Sequence, residues 1–237
     1  MADYKNFDTY ISQDHHSDVK ESFRQLAKII SSTKGRSGNL KVLDVGCATG
    51  ALIGFLKSVY PHWDYTGVDI SKELLAIANN KVSNCNWVSG SALELPKTFD
   101  NKFDLIVCFG VLGIFDEKDA VDMFDCILKA AKPGARIVVF SQFNEMDVDT
   151  QITHRKYTGE GESRGWEKGW NNYSFKTIRA WLKGRVSSEK FINFQIPIML
   201  ERQEDLVRSW TIEFGSRKQL TNGLKLLIDL KFLDIVK

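Results

Sequence analysis

The sequence predicts an α/β fold, a mostly parallel sheet with helices on both faces. Three observations lead there. Short β-rich runs alternate with segments of helical apolar spacing between residues 40 and 141. One of those runs, Phe103 to Phe109, is almost continuously apolar, as a strand covered on both faces should be. Two further extended runs late in the chain suggest an antiparallel pair at the end of the sheet. The right-handed crossover rule leaves few topologies for such an alternation.

The elements follow in order. Ser17 can cap a first helix whose apolar positions Val19, Phe23, Leu26, Ala27 and Ile30 keep helical spacing, ended by a loop from Gly35 to Gly38. The run Leu40 to Val45 is the first strand and stops at Gly46. A helix from about Ala51 to Tyr60 carries Leu52, Phe55, Leu56 and Val59 on one face, and Pro61 closes it. Tyr65 to Ile70 is the second strand. Ser71 caps the next helix, which holds Leu74, Leu75 and Ala78, and Asn86 to Val88 is a short third strand.

After Phe103 to Phe109, a helix from about Glu117 to Ala131 buries Ala120, Val121, Phe124, Ile127 and Leu128. Its acids Asp116, Glu117 and Asp119 sit at the positive end of the helix dipole, and Lys129 and Lys132 at the negative end. Pro133-Gly134 turns into a fifth strand, Arg136 to Ser141. Gln142 to Tyr173 has no sustained period and is long for a connection, which predicts a lid or binding loop. Ser174 caps a helix through Leu182, stopped by Gly184. Lys190 to Ile196 and Leu206 to Phe214 are the two late strands, with Trp210, Ile212 and Phe214 on one face and Ser209, Thr211 and Glu213 on the other. Leu220 to Lys237 is read as a docked tail.

Composition narrows the function classes. The chain has 237 residues, 43% apolar and 26% charged, enough to bury a core and too apolar for wholesale disorder. No apolar run approaches the roughly 18 residues of a membrane helix, and Met1 to Lys5 lacks the pattern of a secretory signal. Cys47, Cys85, Cys108 and Cys126 show no C-x-x-C spacing, which predicts reduced, mostly buried thiols in a cytoplasmic protein. Residues 151–237 carry 16 Lys/Arg against 10 Asp/Glu, while residues 1–150 carry 16 against 20. There is no polybasic arm, so no nucleic-acid partner is expected; the basic C-terminal part favours an anionic small substrate.

The stretch Val42-Leu43-Asp44-Val45-Gly46-Cys47-Ala48-Thr49-Gly50 carries the chemistry. It links a strand to a helix, and small residues there let the backbone approach a ligand while free helix N–H groups point into the site. Asp69 ends the next strand, where a carboxylate can accept hydrogen bonds from both ribose hydroxyls.

Together these residues resemble the class I S-adenosylmethionine-dependent methyltransferases over about Leu40 to Ser141. The resemblance rests on Asp44-x-Gly46-x-x-x-Gly50, Gly67-Val68-Asp69-Ile70-Ser71, Gly90 to Pro96, Phe103 to Val107 and Leu128 to Ala135. It implies a Rossmann-like, seven-stranded, mostly parallel sheet with an antiparallel strand near one edge, and S-adenosyl-L-methionine as cofactor. By position it implies that Asp44, Gly46, Cys47, Ala48 and Gly50 line the methionine and ribose part, Asp69 holds the ribose and Ile70 packs on adenine. Ser91 and Ala92 would lie at the adenine edge, and Phe109 and Gly110 would face the methionine end. Two positions depart from the pattern: Ala48 stands where many members have glycine, and Ser91 where an Asp often meets the adenine amino group.

A nicotinamide dehydrogenase fits less well, because Ala48 occupies the second glycine position of the G-x-G-x-x-G frame. The expected organisation is a single domain over 1–237. Residues 1–39 form an N-terminal cap helix, 40–141 the cofactor core, 142–185 a substrate cap and 186–237 terminal strands and tail.

The sulfonium donor is already activated, so alignment of acceptor, methyl and sulfur is the main source of rate. A hydroxyl acceptor gains from a general base, and His154, beside Arg155 in the long insertion, is the candidate. His15 and His16 rank below it, His62 reads as a surface residue, and none of these forms a metal set. The insertion also offers Arg155, Tyr157, Arg164, Trp166, Trp170 and Tyr173, with Gly159, Gly161, Gly165 and Gly169 as hinges. Of these, Arg155, Trp166, Trp170 and Tyr173 are the candidate acceptor-binding residues.

The stretch Gly169 to Ser174 is similar to small methyltransferases of bacterial surface-glycan pathways, which implies O-methylation of a sugar or phosphorylated glycan precursor. The competing readings are an RNA or protein methyltransferase, and a non-catalytic S-adenosylmethionine-binding partner subunit.

Overall fold

The computed structural model describes residues 18–31, 38–157, 165–202, 205 and 207–237. Ser17, His15, His16, Gly159, Gly161, Arg164 and Leu206 lie outside the described residues. The helices are α1 (Glu21–Ser31), α2 (Ala51–Val59), α3 (Lys72–Lys81), α4 (Glu117–Ala130) and α5 (Phe175–Leu182). The first five strands are β1 (Lys41–Val45), β2 (Asp64–Asp69), β3 (Asn86–Ser89), β4 (Phe103–Phe109) and β5 (Ala131–Asn144). Then follow β6 (Thr153–His154), β7 (Glu167–Lys168), β8 (Tyr173–Ser174) and β9 (Ser188–Asn193). The last are β10 (Trp210–Phe214), β11 (Arg217–Thr221), β12 (Leu227–Ile228) and β13 (Leu230–Val236).

The main sheet runs β3-β2-β1-β4-β5-β13-β9, with β8 attached to β5 as an eighth strand. The pairs from β3 to β5 are parallel, while β13 is antiparallel to both β5 and β9. Alternate side chains feed two cores. On one face Leu43, Ile106, Ile137 and Val139 pack with Phe124 and Ile127 of α4 and Ile178 of α5. On the other Val42, Leu105, Val107 and Val138 pack with Phe23 and Leu26 of α1 and Leu52 and Leu56 of α2. The helix caps form as their sequence indicates: Ser71 Oγ accepts from Leu74 N, Asp116 Oδ1 from Asp119 N and Ser174 Oγ from Thr177 N.

Several details differ from the sequence reading. Val59 is exposed at the end of α2, and in α4 it is Met123 that is buried while Val121 is only half-buried. The larger difference is at the sheet edge. Leu206 to Phe214 does not pair with the other late strand; β10 instead joins β11 and β12 in a separate three-stranded sheet. Its Thr211 is buried, with Oγ1 accepting from Leu200 N. The tail supplies the missing strand, because Phe232, Leu233 and Ile235 of β13 fill the near-continuous apolar pattern that a covered strand requires. Residues 194–229 thus form a second insertion between the last two strands of the sheet.

Arg136 fastens that edge. Its Nε and Nη2 donate to the two oxygens of Asp234 at 2.6 Å each, and its Nη1 donates to Ile29 O at 2.7 Å. One buried fork thereby joins β5, β13 and the last turn of α1. Removing the carboxylate would strand a buried guanidinium, so Asp234→Ala should cost about 3–5 kcal/mol in urea unfolding. A loss below about 1 kcal/mol would show that the fork contributes little to the edge.

Candidate active site

The candidate site lies at the carboxyl ends of β1, β2 and β4, where loops of an open α/β sheet form a crevice. The β1–α2 turn is held from beneath. Gly46 N and Cys47 N both donate to Val68 O at 2.8 and 3.0 Å, and Gly50 N donates to Cys47 O at 2.9 Å. Ala48 N donates to Asp69 Oδ2 at 2.8 Å, while Ser71 N donates to Asp69 Oδ1 at 3.0 Å. The amides of residues 46, 47, 48 and 50 are therefore committed within the protein, so free donors toward a ligand would have to come from the first turn of α2. The turn offers close backbone approach instead. Asp69 keeps acceptor capacity after these two bonds, since a carboxylate offers about four lone-pair sites.

Two glycines of the turn are forced by packing. Gly46 has φ +76°, and a Cβ there would come 2.4 Å from Val111 Cγ2, so the loop after β4 closes directly on the turn. Gly50 has φ +75°, and its Cβ would meet the Trp87 ring at 2.6 Å and Ala78 Cβ at 3.0 Å. Ala48 takes φ +47° despite its side chain. It adopts there the left-handed conformation that a family glycine would reach without strain.

The remaining residues divide between crevice and core. Ile70 is 55% exposed just beyond Asp69, an apolar surface open to a flat ring. Ser91 and Ala92 are half-buried, and Ser91 Oγ accepts from Leu93 N at 3.1 Å. Gly110 has φ +71° with open space on its Cβ side. The Phe109 ring packs instead against Phe140, Phe232 and Phe23, with centroids 5.0, 5.9 and 6.2 Å away, so it ties α1 to the sheet. Cys47 is also turned inward: its Sγ would be 2.8 Å from a Cβ on Gly67. Burial pushes the Cys47 and Cys108 thiols above the usual range, which argues against either as a thiolate nucleophile.

The first insertion forms a β6–β7 hairpin with Thr153 opposite Lys168 and His154 opposite Glu167. His154 Nε2 lies 3.5 Å from the Cβ position of Gly169. The Arg155 guanidinium sits 5.0 Å over the Trp166 ring, which is 65% exposed. Lys168 Nζ pairs with Asp116 Oδ2 at 2.8 Å, fixing the hairpin beside the loop after β4. Trp170 is half-buried with φ +64°, and its carbonyl accepts from Gln142 Nε2 at 3.1 Å. Tyr173 is buried, with its hydroxyl donating to Phe115 O at 2.8 Å, so it forms part of the wall and not the acceptor surface its sequence position suggested. Sequence reasoning missed Val111 and Trp87, whose roles arise from contacts between distant segments and leave no local pattern.

This constellation of glycine turn, carboxylate at the end of β2 and closing loop after β4 has counterparts among known proteins. Residues 42–134 match the family described as "Methyltransferase domain". Over these residues the chain is similar to a methyltransferase domain, in keeping with its resemblance to the class I S-adenosylmethionine-dependent enzymes.

Among curated relatives, the demethylmenaquinone methyltransferase of Staphylococcus aureus is 32% identical over 123 residues, 50% of this chain and 49% of the relative. The chain therefore spans about half the length of the curated relatives it matches. A Pyrococcus horikoshii protein aligns over 97% of this chain and 98% of its own, at 15% identity and TM-score 0.59. A Methanosarcina mazei S-adenosylmethionine-dependent methyltransferase covers 88% of this chain and 96% of its own, at 15% identity and TM-score 0.58. The magnesium protoporphyrin IX methyltransferase of Synechocystis, solved with bound S-adenosylmethionine, covers 94% and 79%, at 15% identity and TM-score 0.52. At such identities the structural likenesses establish the fold. Among the described residues, no helix is long and apolar enough to cross a membrane.

The electrostatics of this candidate site favour a cation. Asp44 is 2% exposed, and burial first, then the charge of Asp69, pushes its pKa up to about 8. Burial also raises Asp69, partly offset by the amides of Ser71, Ala48 and Ile70. Between 3.8 and about 8 the folded chain holds a proton on Asp44 that the unfolded chain has released. Stability is therefore lost as pH rises through that window. Lys20, lowered to about 8 by burial and Arg208, acts in the opposite sense only above that pH. The ligand-free protein should accordingly lose stability between about pH 5.5 and about pH 8, and Asp44→Asn should remove most of the slope. Parallel slopes in thermal unfolding of the two proteins would contradict this assignment.

Proposed function

We propose that the chain transfers a methyl group from S-adenosylmethionine to a small-molecule acceptor bound beneath the first insertion. The observation that carries this reading is the Asp69 carboxylate, held by Ala48 N and Ser71 N with acceptor capacity left for a ribose diol. The residues present fit the donor. The left-handed turn at Gly46, Ala48 and Gly50 suits close approach, Ile70 offers an open apolar face, and buried Asp44 supplies negative charge for a cation. When bound, the sulfonium supplies an activated methyl group.

The chain's own residues would then bind and orient. Asp69 would hold the diol, with Ser91 and Ala92 at the base edge. Gly46, Gly110 and the backbone at Cys47, Gly50 and Phe109 would line the methionine end. Asp44 would ionise as the positive charge enters. The acceptor nucleophile would attack in line with the sulfur–methyl bond, and His154 would take the proton of a hydroxyl acceptor.

Relatives support a small acceptor by name, demethylmenaquinone in one case and magnesium protoporphyrin IX in another. Arg155 over Trp166 suits a ring that carries negative charge, and a phosphorylated glycan precursor is one such molecule. Trp170, at the turn leading out of the hairpin, would contribute a second apolar face.

Labelled-methyl transfer to panels of quinols, sugars, phosphosugars, peptides and RNA tests the reading. Transfer confined to small molecules is expected, with His154→Gln lowering kcat on a hydroxyl acceptor by about 100-fold or more. Transfer only to RNA or peptide would overturn the acceptor class, and unchanged kcat in His154→Gln would remove the base.

A further inference from the structure

Donor site and acceptor cap are joined at one buried side chain, Asn171, to which the sequence alone assigned no role. Asn171 follows the β6–β7 hairpin and is buried. Its backbone N donates to Gly113 O at 2.8 Å and its Nδ2 to Phe115 O at 2.7 Å, both in the segment after β4. Its Oδ1 accepts from Ile152 N at 2.8 Å, one residue before β6. The segment it grips is the one that closes on the donor turn, through Val111 against Gly46. Between those two contacts the chain makes a single 3₁₀ turn, Leu112–Ile114, with Ile114 N bonded to Val111 O and Phe115 N to Leu112 O. A shift of Val111 is therefore carried by a short, hydrogen-bonded unit to Asn171, and from there to the strand that bears His154, just before Arg155.

Trp170 strengthens the case. A tryptophan at φ +64° is strained and persists only where its surroundings over-determine it. Here the Gln142 side chain holds the Trp170 carbonyl, and the turn delivers Asn171 inward. Gly113 fits the same close approach, since a Cβ there would come 3.4 Å from Asn171 O.

We propose that Asn171 is a positioning residue that couples donor occupancy to the order of the acceptor cap, so that the cap tightens once the methionine-side wall is filled. This rests on the donor-site reading above. Tyr173 provides the comparison: its hydroxyl bonds the same Phe115 carbonyl and meets the Gln151 side chain, but the backbone bond from Ile152 N goes to Asn171.

Hydrogen exchange on the whole chain, with and without S-adenosylhomocysteine, tests the proposal. In the wild type the ligand should slow exchange in residues 150–157 and 165–172 by roughly fivefold to tenfold, the effect of about one net hydrogen bond. Asn171→Asp keeps the acceptor for Ile152 N but sets a carboxylate against Phe115 O. It should still bind the ligand and protect residues 110–116, yet lose the cap response, whereas Tyr173→Phe should retain it. Asn171→Ala, which removes both side-chain bonds without adding charge, should behave like Asn171→Asp and serves if the latter fails to fold. A wild-type cap that ignores ligand seen to bind by calorimetry overturns the coupling alone, as does an Asn171 variant with the full response. No binding to the wild type overturns the donor-site reading, and the coupling with it.

Discussion

The site depends on one carboxylate held in two places. Asp69 accepts from Ala48 on the β1–α2 turn and from Ser71 at the head of α3, so one side chain sets the distance between two loops that neighbouring strands present to the crevice. The acid is costly to bury, and the amides of Ser71, Ala48 and Ile70 offset part of that cost. Without it, Ala48 would have no partner for its amide and little reason to remain in the left-handed region. The adjoining Asp44 adds a second acid with no like compensation, which is why its proton is held so tightly in the ligand-free protein. A cationic ligand relieves both acids at once. The same electrostatic arrangement that destabilises the empty site thus selects what fills it.

Around this fixed core the chain adds two insertions, one between β5 and α5 and one between β9 and β13. They meet through the Lys156–Asp205 pair at 2.5 Å. Gln25 of α1 in turn exchanges hydrogen bonds with the backbone of Gln195 at the start of the second insertion. Both insertions are therefore held by long-range contacts around the main sheet. Binding loops on a fixed scaffold are free to vary in exactly this way: the scaffold sets where the donor lies, and the loops set what may approach it. That division agrees with the comparisons, which match the core by sequence and the wider chain by fold alone.

Legibility followed the same division. The donor core was readable because each of its elements has a local cause. Apolar runs mark β1 and β4, Ser71, Asp116 and Ser174 announce helix starts, and glycines mark turns that need φ above zero. The sheet edge was not, because β13 looks in isolation like any short apolar tail until Arg136 and Asp234 pin it to β5. In the other direction, β10 alternates cleanly and so invited assignment to the main sheet, although its half-wet pattern suits a small separate hairpin better. Tyr173 shows a further limit. An aromatic in a loop reads equally as ligand shelf or as anchor, and only the Phe115 carbonyl decides between them.

A crystal structure with S-adenosylhomocysteine tests the central claim most directly. The account predicts the nucleoside lying across the turn from Gly46 to Gly50, both ribose hydroxyls within hydrogen-bond distance of Asp69 and the base against Ile70. A ligand bound elsewhere, or a diol turned away from Asp69, would contradict it.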